Sequence, residues 1–348
     1  MRAKLIGIGS NRLLARVSDT SSPVARAMSL ARFDEAGLLI GLIVLVLIIG
    51  IPHPEFFEFG SIKTLLRQCA LVGIMAFGMV YLVSMTDIDL SVGGIYAVAV
   101  TASALMIKSG IDPWIAVLLS LFIGAALGAF NSIVTAALDV PLIIVSLGTL
   151  SVFFGLNLII SDASPIFGMP RDHLFFRIFG GEFLGLPASA WVMFAVGVAL
   201  HFLFFHTRFG ATVRAIGANR AAADFIGVKV DRVRLYATAL TGMLCALSAA
   251  MTLAYFKAVD PSMGEQKELL VIAAVVIGGT SLAGGSGTIL GAFLGVLIIN
   301  VIDSGIVFFG VDPNYARFVT GCVILAAIAL DRFVKRRRQL SDELQSHL

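Results

Sequence analysis

Gly278-Gly279-Thr280-Ser281-Leu282-Ala283-Gly284-Gly285-Ser286-Gly287 lies between two apolar stretches, Leu269–Ile277 and Thr288–Phe309, with hardly a charge nearby. A glycine-rich break inside membrane-grade sequence marks a transport path. In lipid every backbone N–H and C=O must be satisfied internally, so non-helical backbone survives only where protein or a water-lined cavity surrounds it. The stretch also comes close to a nucleotide-binding loop. Gly279, Gly284, Gly285 and Ser286 have the spacing of a P-loop, but Gly285 stands where the phosphate-binding lysine belongs and no strand is expected in front of it. The chain therefore carries no ATPase motif of its own here, and it is not expected to be an enzyme.

The composition agrees with a membrane setting. Of 348 residues, 58% are hydrophobic and 14% charged, against roughly 25% charged in a soluble domain. A bilayer-spanning helix needs roughly 20 mostly apolar residues, and the sequence offers about ten candidates. They are Gly37–Ile51, Leu65–Ser84, Val92–Ile107, Trp114–Leu138, Pro141–Ile160, Ala190–Phe205, Leu235–Tyr255, Leu269–Ala283, Thr288–Phe309 and Ala316–Leu330. The expected fold is an all-α polytopic bundle with glycine-rich broken or re-entrant segments. One transmembrane domain over residues 34–331 is flanked by tails at 1–33 and 332–348, with Ser18–Phe33 read as a surface-lying amphipathic stretch or a frayed tail. Cys69, Cys245 and Cys322 all fall inside expected spans and read as small packing residues.

The 25 Lys and Arg residues cluster: six precede the first span, six lie between Arg208 and Arg234, and five follow Asp331. By the positive-inside rule both ends and the 206–234 loop face the cytoplasm. The longest outer loop, Ser161–Ser189, and the longest inner loop, His206–Arg234, are too short for a domain. An ATP-driven engine would have to be another polypeptide. The basic residues serve orientation, and no nucleic-acid partner is expected.

Within the inner loop, Arg220–Ile226 is a helix-favouring run between Gly217 and Gly227, with Asn219 suited to cap its start. Composition alone leaves two readings open, a plug that docks into a partner's cleft and a solvated connector.

Three segments together resemble the permease subunits of bacterial ribose-type sugar ABC importers. They are Asp89-Leu90-Ser91-Val92-Gly93, the loop from Thr207-Arg208-Phe209-Gly210 through Gly227, and Ile272–Gly287. The similarity in pattern and order runs from about Phe33 to Asp331. It implies a homodimeric or heterodimeric pore in the bacterial inner membrane, a cytoplasmic ATPase that binds the ATP and Mg, and a periplasmic sugar-binding protein. It also implies a coupling loop containing Gly217, Asn219, Arg220, Ala222, Asp224 and Gly227. Two residues depart from the family pattern: Asp87 stands where a glycine is usual, and Arg220 where a glutamate is common.

The remaining candidates follow from chemistry in the spans. An uncharged polyol needs donors and acceptors, and Asp89, Ser91, Asn131, Asn157, Asn300 and Asp303 offer them. An isolated acid at mid-membrane costs about 2.5–3.5 kcal/mol, so Asp303 should face protein or water. Gly287, Gly291 and Gly295 recur every four residues, as do Gly124 and Gly128, a spacing that lets helices approach closely. No metal-ligand cluster or catalytic pair is evident. A nucleoside or branched-chain amino acid permease, and an ion-coupled secondary transporter, remain as alternatives.

Overall fold

The computed structural model describes residues 23–310 together with Tyr315, Phe318, Gly321 and Cys322. Among them the chain forms twelve α-helices, numbered here in order. They are α1 (Pro23–Gly50), α2 (Phe59–Ser84), α3 (Val92–Lys108), α4 (Pro113–Leu138), α5 (Leu142–Ser161), α6 (Leu174–Phe179), α7 (Ala188–His206), α8 (Arg208–Ala218), α9 (Arg220–Phe225), α10 (Val230–Phe256), α11 (Lys267–Ile277) and α12 (Ile289–Phe308). Six of these, α2, α4, α5, α7, α10 and α12, are long and apolar enough to cross a membrane.

Local sequence sets the boundaries. Asp112 accepts a hydrogen bond from the Trp114 N–H (2.9 Å) and Pro113 opens α4, so the helix starts where one donor is capped and the next is missing. Thr288 caps α12 through the Gly291 N–H (2.8 Å). At the end of α11, Gly279 adopts a φ of +85°, which ends the helix after 11 residues. Eleven residues rise about 16 Å, roughly half the hydrocarbon thickness. The expected span Leu269–Ala283 is thus a half-helix followed by an irregular turn.

Three further expectations are corrected or fall outside view. Pro23–Phe33 is helical and continuous with the first apolar stretch, so α1 starts well before Gly37. The longest expected outer loop, Ser161–Ser189, contains α6 and a small hairpin, β1 (Glu182–Phe183) against β2 (Leu186–Pro187). Leu184 and Gly185 at its tip both have positive φ, as a two-residue hairpin turn requires. Most of Ala316–Leu330, residues 1–22 and the basic tail lie outside the described residues.

The bundle is built around α2, of whose apolar window 83% is buried, whereas α4 and α5 bury 28% each. Helices α7, α10, α11 and α12 pack around α2, with Ile74, Met75, Met79 and Tyr81 fully enclosed. Lipid tails are as apolar as leucine, so close van der Waals packing and interhelical hydrogen bonds hold such helices together. The Tyr81 hydroxyl donates to the Leu200 carbonyl (2.6 Å) and the Ser248 hydroxyl to that of Leu71 (2.5 Å), tying α2 to α7 and α10. Between α4 and α10, Gly124 faces the Gly242 carbonyl and Gly128 that of Thr238, leaving no room for a side chain. Cys69 and Cys245 are buried; Cys322, expected to pack, is exposed.

The second break lies between α2 and α3. Thr86 has φ +65°, and Asp87–Asp89 carry no regular structure before α3 begins at Val92. The two broken segments meet: the Gly285 N–H donates to the Ser84 carbonyl at 2.9 Å.

Candidate functional site

The loop between α7 and α10 is folded and anchored. Thr207 caps α8 by accepting from the Gly210 N–H (3.3 Å), and Gly210 itself lies against the Phe204 carbonyl too closely for any side chain. Arg214 donates to that same carbonyl and sits 5.1 Å from the Phe204 and Phe205 ring centres. Desolvation lowers the Arg214 pKa from its usual value, opposed by the nearby Tyr81. The Tyr81 ring stacks on Phe209 at 5.8 Å, so α8 is fixed to α2 by aromatic contact as well as by chain connection.

Helix α8 ends where the breaks meet. Gly217 is buried, and a Cβ there would overlap the Ser84 carbonyl and come within 2.5 Å of the Gly285 nitrogen. Gly284, at φ +84°, would place a Cβ 2.5 Å from Thr86 Cγ2 and 2.6 Å from the Gly217 carbonyl. The end of α2, the glycine-rich turn and the end of α8 therefore interlock as bare backbone. Glycine is needed at these two positions for close approach, and at Gly284 also for its φ.

Beyond this junction α9 projects outward. The Asn219 side-chain Oδ1 accepts from the Ala222 N–H (2.9 Å), and Gly227, at φ +87°, closes the helix. Ala223 is buried against the protein, whereas Arg220, Ala222 and Asp224 are exposed. Phe225 and Ile226 stand 91% and 75% exposed at the tip. Sequence reasoning placed the helix here but missed both α8 and this apolar tip, because two apolar residues beside Gly227 read as ordinary connector sequence.

The polar candidates in the spans separate into two groups. Asp89, Ser91 and Asn131 come together in a fully buried network. The Asp89 carboxylate accepts from the Ser91 N–H (2.8 Å), the Ser91 hydroxyl (2.7 Å) and the Asn131 amide (3.1 Å). Asn157 accepts from the Thr101 hydroxyl (2.6 Å) and donates to the Pro261 carbonyl (2.7 Å), and Asn300 donates to Val296 in its own helix (2.8 Å). Asp87, beside this network, pairs with Arg234: Nε to Oδ2 is 2.8 Å with both side chains at least nine-tenths buried. Arg234 was not singled out by sequence, since it reads as one more topology-setting base.

Asp303 is placed differently. It lines a cavity of about 840 Å³ between the first half of α2, the start of α11 and the end of α12. On α2 the lining residues Ser61, Thr64 and Gln68 form one face, at helical spacing that a polar reading of the span could have revealed. Just before α12, Gly287 faces the Ser84 and Thr280 hydroxyls; within it, Gly291 faces the Gly278 carbonyl and Gly295 the Ala274 carbonyl. Among the described residues no group of His, Cys, Asp or Glu is arranged to hold a metal ion.

Long apolar helices, two broken segments in contact and a folded loop docked across them define a multi-pass membrane protein of the permease class. Residues 61–328 match the family described as "Branched-chain amino acid transport system / permease component", and the chain belongs to that family. It is 43% identical over 300 residues to the ribose import permease protein of Bacillus subtilis (strain 168), covering 86% of this chain and 93% of that one. The ribose import permease protein of Escherichia coli (strain K12) is 34% identical over 295 residues, covering 84% and 92%. The D-allose transport system permease protein of the same strain is 31% identical over 306 residues, covering 87% and 93%. No solved structure matches.

Proposed function

We propose that this chain is the membrane-spanning subunit of an ATP-binding-cassette importer for a sugar, driven by a separate ATPase and supplied by a periplasmic binding protein. The family description mentions branched-chain amino acids, whereas similar full-length relatives are named for ribose, allose and arabinose. At 43% identity over nearly the whole relative, the sugar names carry more weight. Two permease copies, or two related chains, form the pore. About ten spans place both termini on the ATPase side, with Ala316–Leu330 as the last.

One observation carries the reading: Gly217 is wedged against Ser84 and Gly285 while the next helix extends Phe225 and Ile226 into solvent. An ATPase that grips α9 moves the backbone of both broken segments without an intervening side chain to absorb the motion. ATP-driven closure thereby opens the path on the far side, and hydrolysis resets it.

The test is purification from native membranes followed by reconstitution. An ATPase subunit should accompany the chain, and vesicles containing the complex and its binding protein should take up labelled ribose, allose or arabinose only with ATP. Uptake of leucine or a nucleoside in place of sugar would reassign the substrate. Sugar uptake by the chain alone under an ion gradient would establish secondary transport instead.

A further inference from the structure

Helix α7 carries one exposed apolar face. Trp191, Phe194, Val198 and Phe202 lie on it at helical spacing, while Met193, Gly197, Leu200 and Phe204 on the opposite side are buried. In a helix long and apolar enough to cross a membrane, a face of this kind meets lipid tails. Its Trp191 end leads into the β1–β2 hairpin. The indole N–H donates to the Phe183 carbonyl (2.9 Å), and the two rings meet edge to face at 6.1 Å. On its other side the hairpin is fixed to the first turns of α2. Lys63 Nζ pairs with Glu182 at 3.0 Å, and a Cβ on Gly185 would stand 3.3 Å from the Phe59 ring. The hairpin is thus held at the level where α2 and α7 begin.

The tip residues do not suit water. Leu184 and Gly185 have φ of +51° and +79°, a two-residue turn whose first position favours Asn, Asp or Gly. Leucine there carries left-handed strain and is 77% exposed, and Phe183 beside it is 62% exposed, so packing within this chain holds neither in place. An apolar medium offsets that strain and water does not. With Trp191 and the exposed Phe59 they form an aromatic and aliphatic patch bordered by the Lys63–Glu182 pair, the composition of a belt at a membrane–water interface. We propose that Phe183 and Leu184 are a lipid anchor, inserted just beneath the headgroups of the leaflet at the Phe59 end of α2. Trp191 continues the contact along α7, and the ion pair sits among the headgroups. The anchor pins the starts of α2 and α7 in the bilayer while the junction at Ser84 and Gly217, at their other ends, is free to shift. This contact depends on the membrane-spanning fold alone, whatever the solute.

Spin-label accessibility in the full chain, reconstituted in phosphatidylcholine vesicles, tests the anchor. In a Cys322→Ala background, which leaves only the buried Cys69 and Cys245, single labels are placed at Phe183→Cys and Leu184→Cys. Val198→Cys on the lipid-facing stripe and Ser164→Cys in the exposed loop before α6 serve as references. Relaxation by oxygen, which concentrates in lipid, is compared with relaxation by a water-soluble nickel chelate. The oxygen-to-nickel ratio at 183 and 184 should exceed that at 164 at least about threefold and approach that at 198. Ratios at both tip positions equal to that at 164 overturn the anchor, whether the tip then stays in water or is covered when a solute-binding protein is added. Spin–spin broadening between labels at 184 on two copies also overturns it, in favour of a contact between permease subunits.

Discussion

Arg234 and Asp87 form an ion pair, 2.8 Å from Nε to Oδ2, that joins the α2–α3 break to α10 in the protein interior. Arg234 neutralises the Asp87 carboxylate in a buried setting. A second contact from Arg234 to Asp231 (2.9 Å) holds the guanidinium in place. Removing one partner of a buried pair strands the other charge and costs about 3–5 kcal/mol. Arg234→Met and Asp87→Ala should each lower the thermal midpoint of the detergent-solubilised protein sharply, and Asp87→Gly combined with Arg234→Met should recover most of the loss. If the double variant is no more stable than either single one, the pair is not the source of the effect.

Gly217 and Gly227 bracket the projecting helix but should respond differently to alanine. At Gly217 the new methyl overlaps the Ser84 carbonyl; at Gly227 it meets nothing within 4 Å. Overpacking costs about 1–3 kcal/mol and here also pushes the two breaks apart, so Gly217→Ala should abolish uptake in protein that still inserts. Gly227→Ala carries only the left-handed backbone penalty of about 1–2 kcal/mol and should retain measurable transport. Paired uptake and expression assays separate the two.

Phe225 and Ile226 touch little in this chain, so Phe225→Ser with Ile226→Ser should change stability by no more than about 0.5 kcal/mol. Buried anchors at interfaces are often worth at least about 2 kcal/mol. The same double variant should lose its ATPase on purification. Retention of the ATPase at wild-type stoichiometry counts against docking through this tip, as would normal uptake by a correctly inserted Ala222→Trp.

Asp89 makes three hydrogen bonds at the start of α3. Asp89→Leu leaves the Ser91 and Asn131 donors buried without their acceptor, at about 1–3 kcal/mol for each, whereas Asp89→Asn keeps an acceptor oxygen. The leucine variant should fail to accumulate and the asparagine variant should accumulate and transport weakly. Similar transport by both would place Asp89 outside the structural network.

Much of this organisation was legible because membrane constraints write themselves plainly into sequence. Long apolar runs gave α4, α5 and α12, and Asn219 with Gly227 gave both ends of α9. What escaped was partnership across the chain. Asp89, Ser91, Asn131, Asn157 and Asn300 looked equivalent to Asp303 as polar residues in apolar spans, yet only Asp303 lines the cavity; the difference lies in which helix each faces. Periodicity also could not tell that Leu269–Ala283 breaks at Ile277, since Gly278 and Gly279 are tolerated inside membrane helices when neighbours satisfy the backbone.

The enclosure of α2 has a consequence for how the chain is made. Its Leu71 carbonyl accepts an additional hydrogen bond from the Ser248 hydroxyl, 177 residues later. At about 5–20 residues per second, synthesis takes roughly 10–35 s to deliver that partner. Until then the most enclosed helix of the mature protein must wait in lipid with its packing face uncovered, so assembly of this subunit is timed by its second half, and a translational pause before α10 would lengthen the interval in which insertion factors or proteases can reach it.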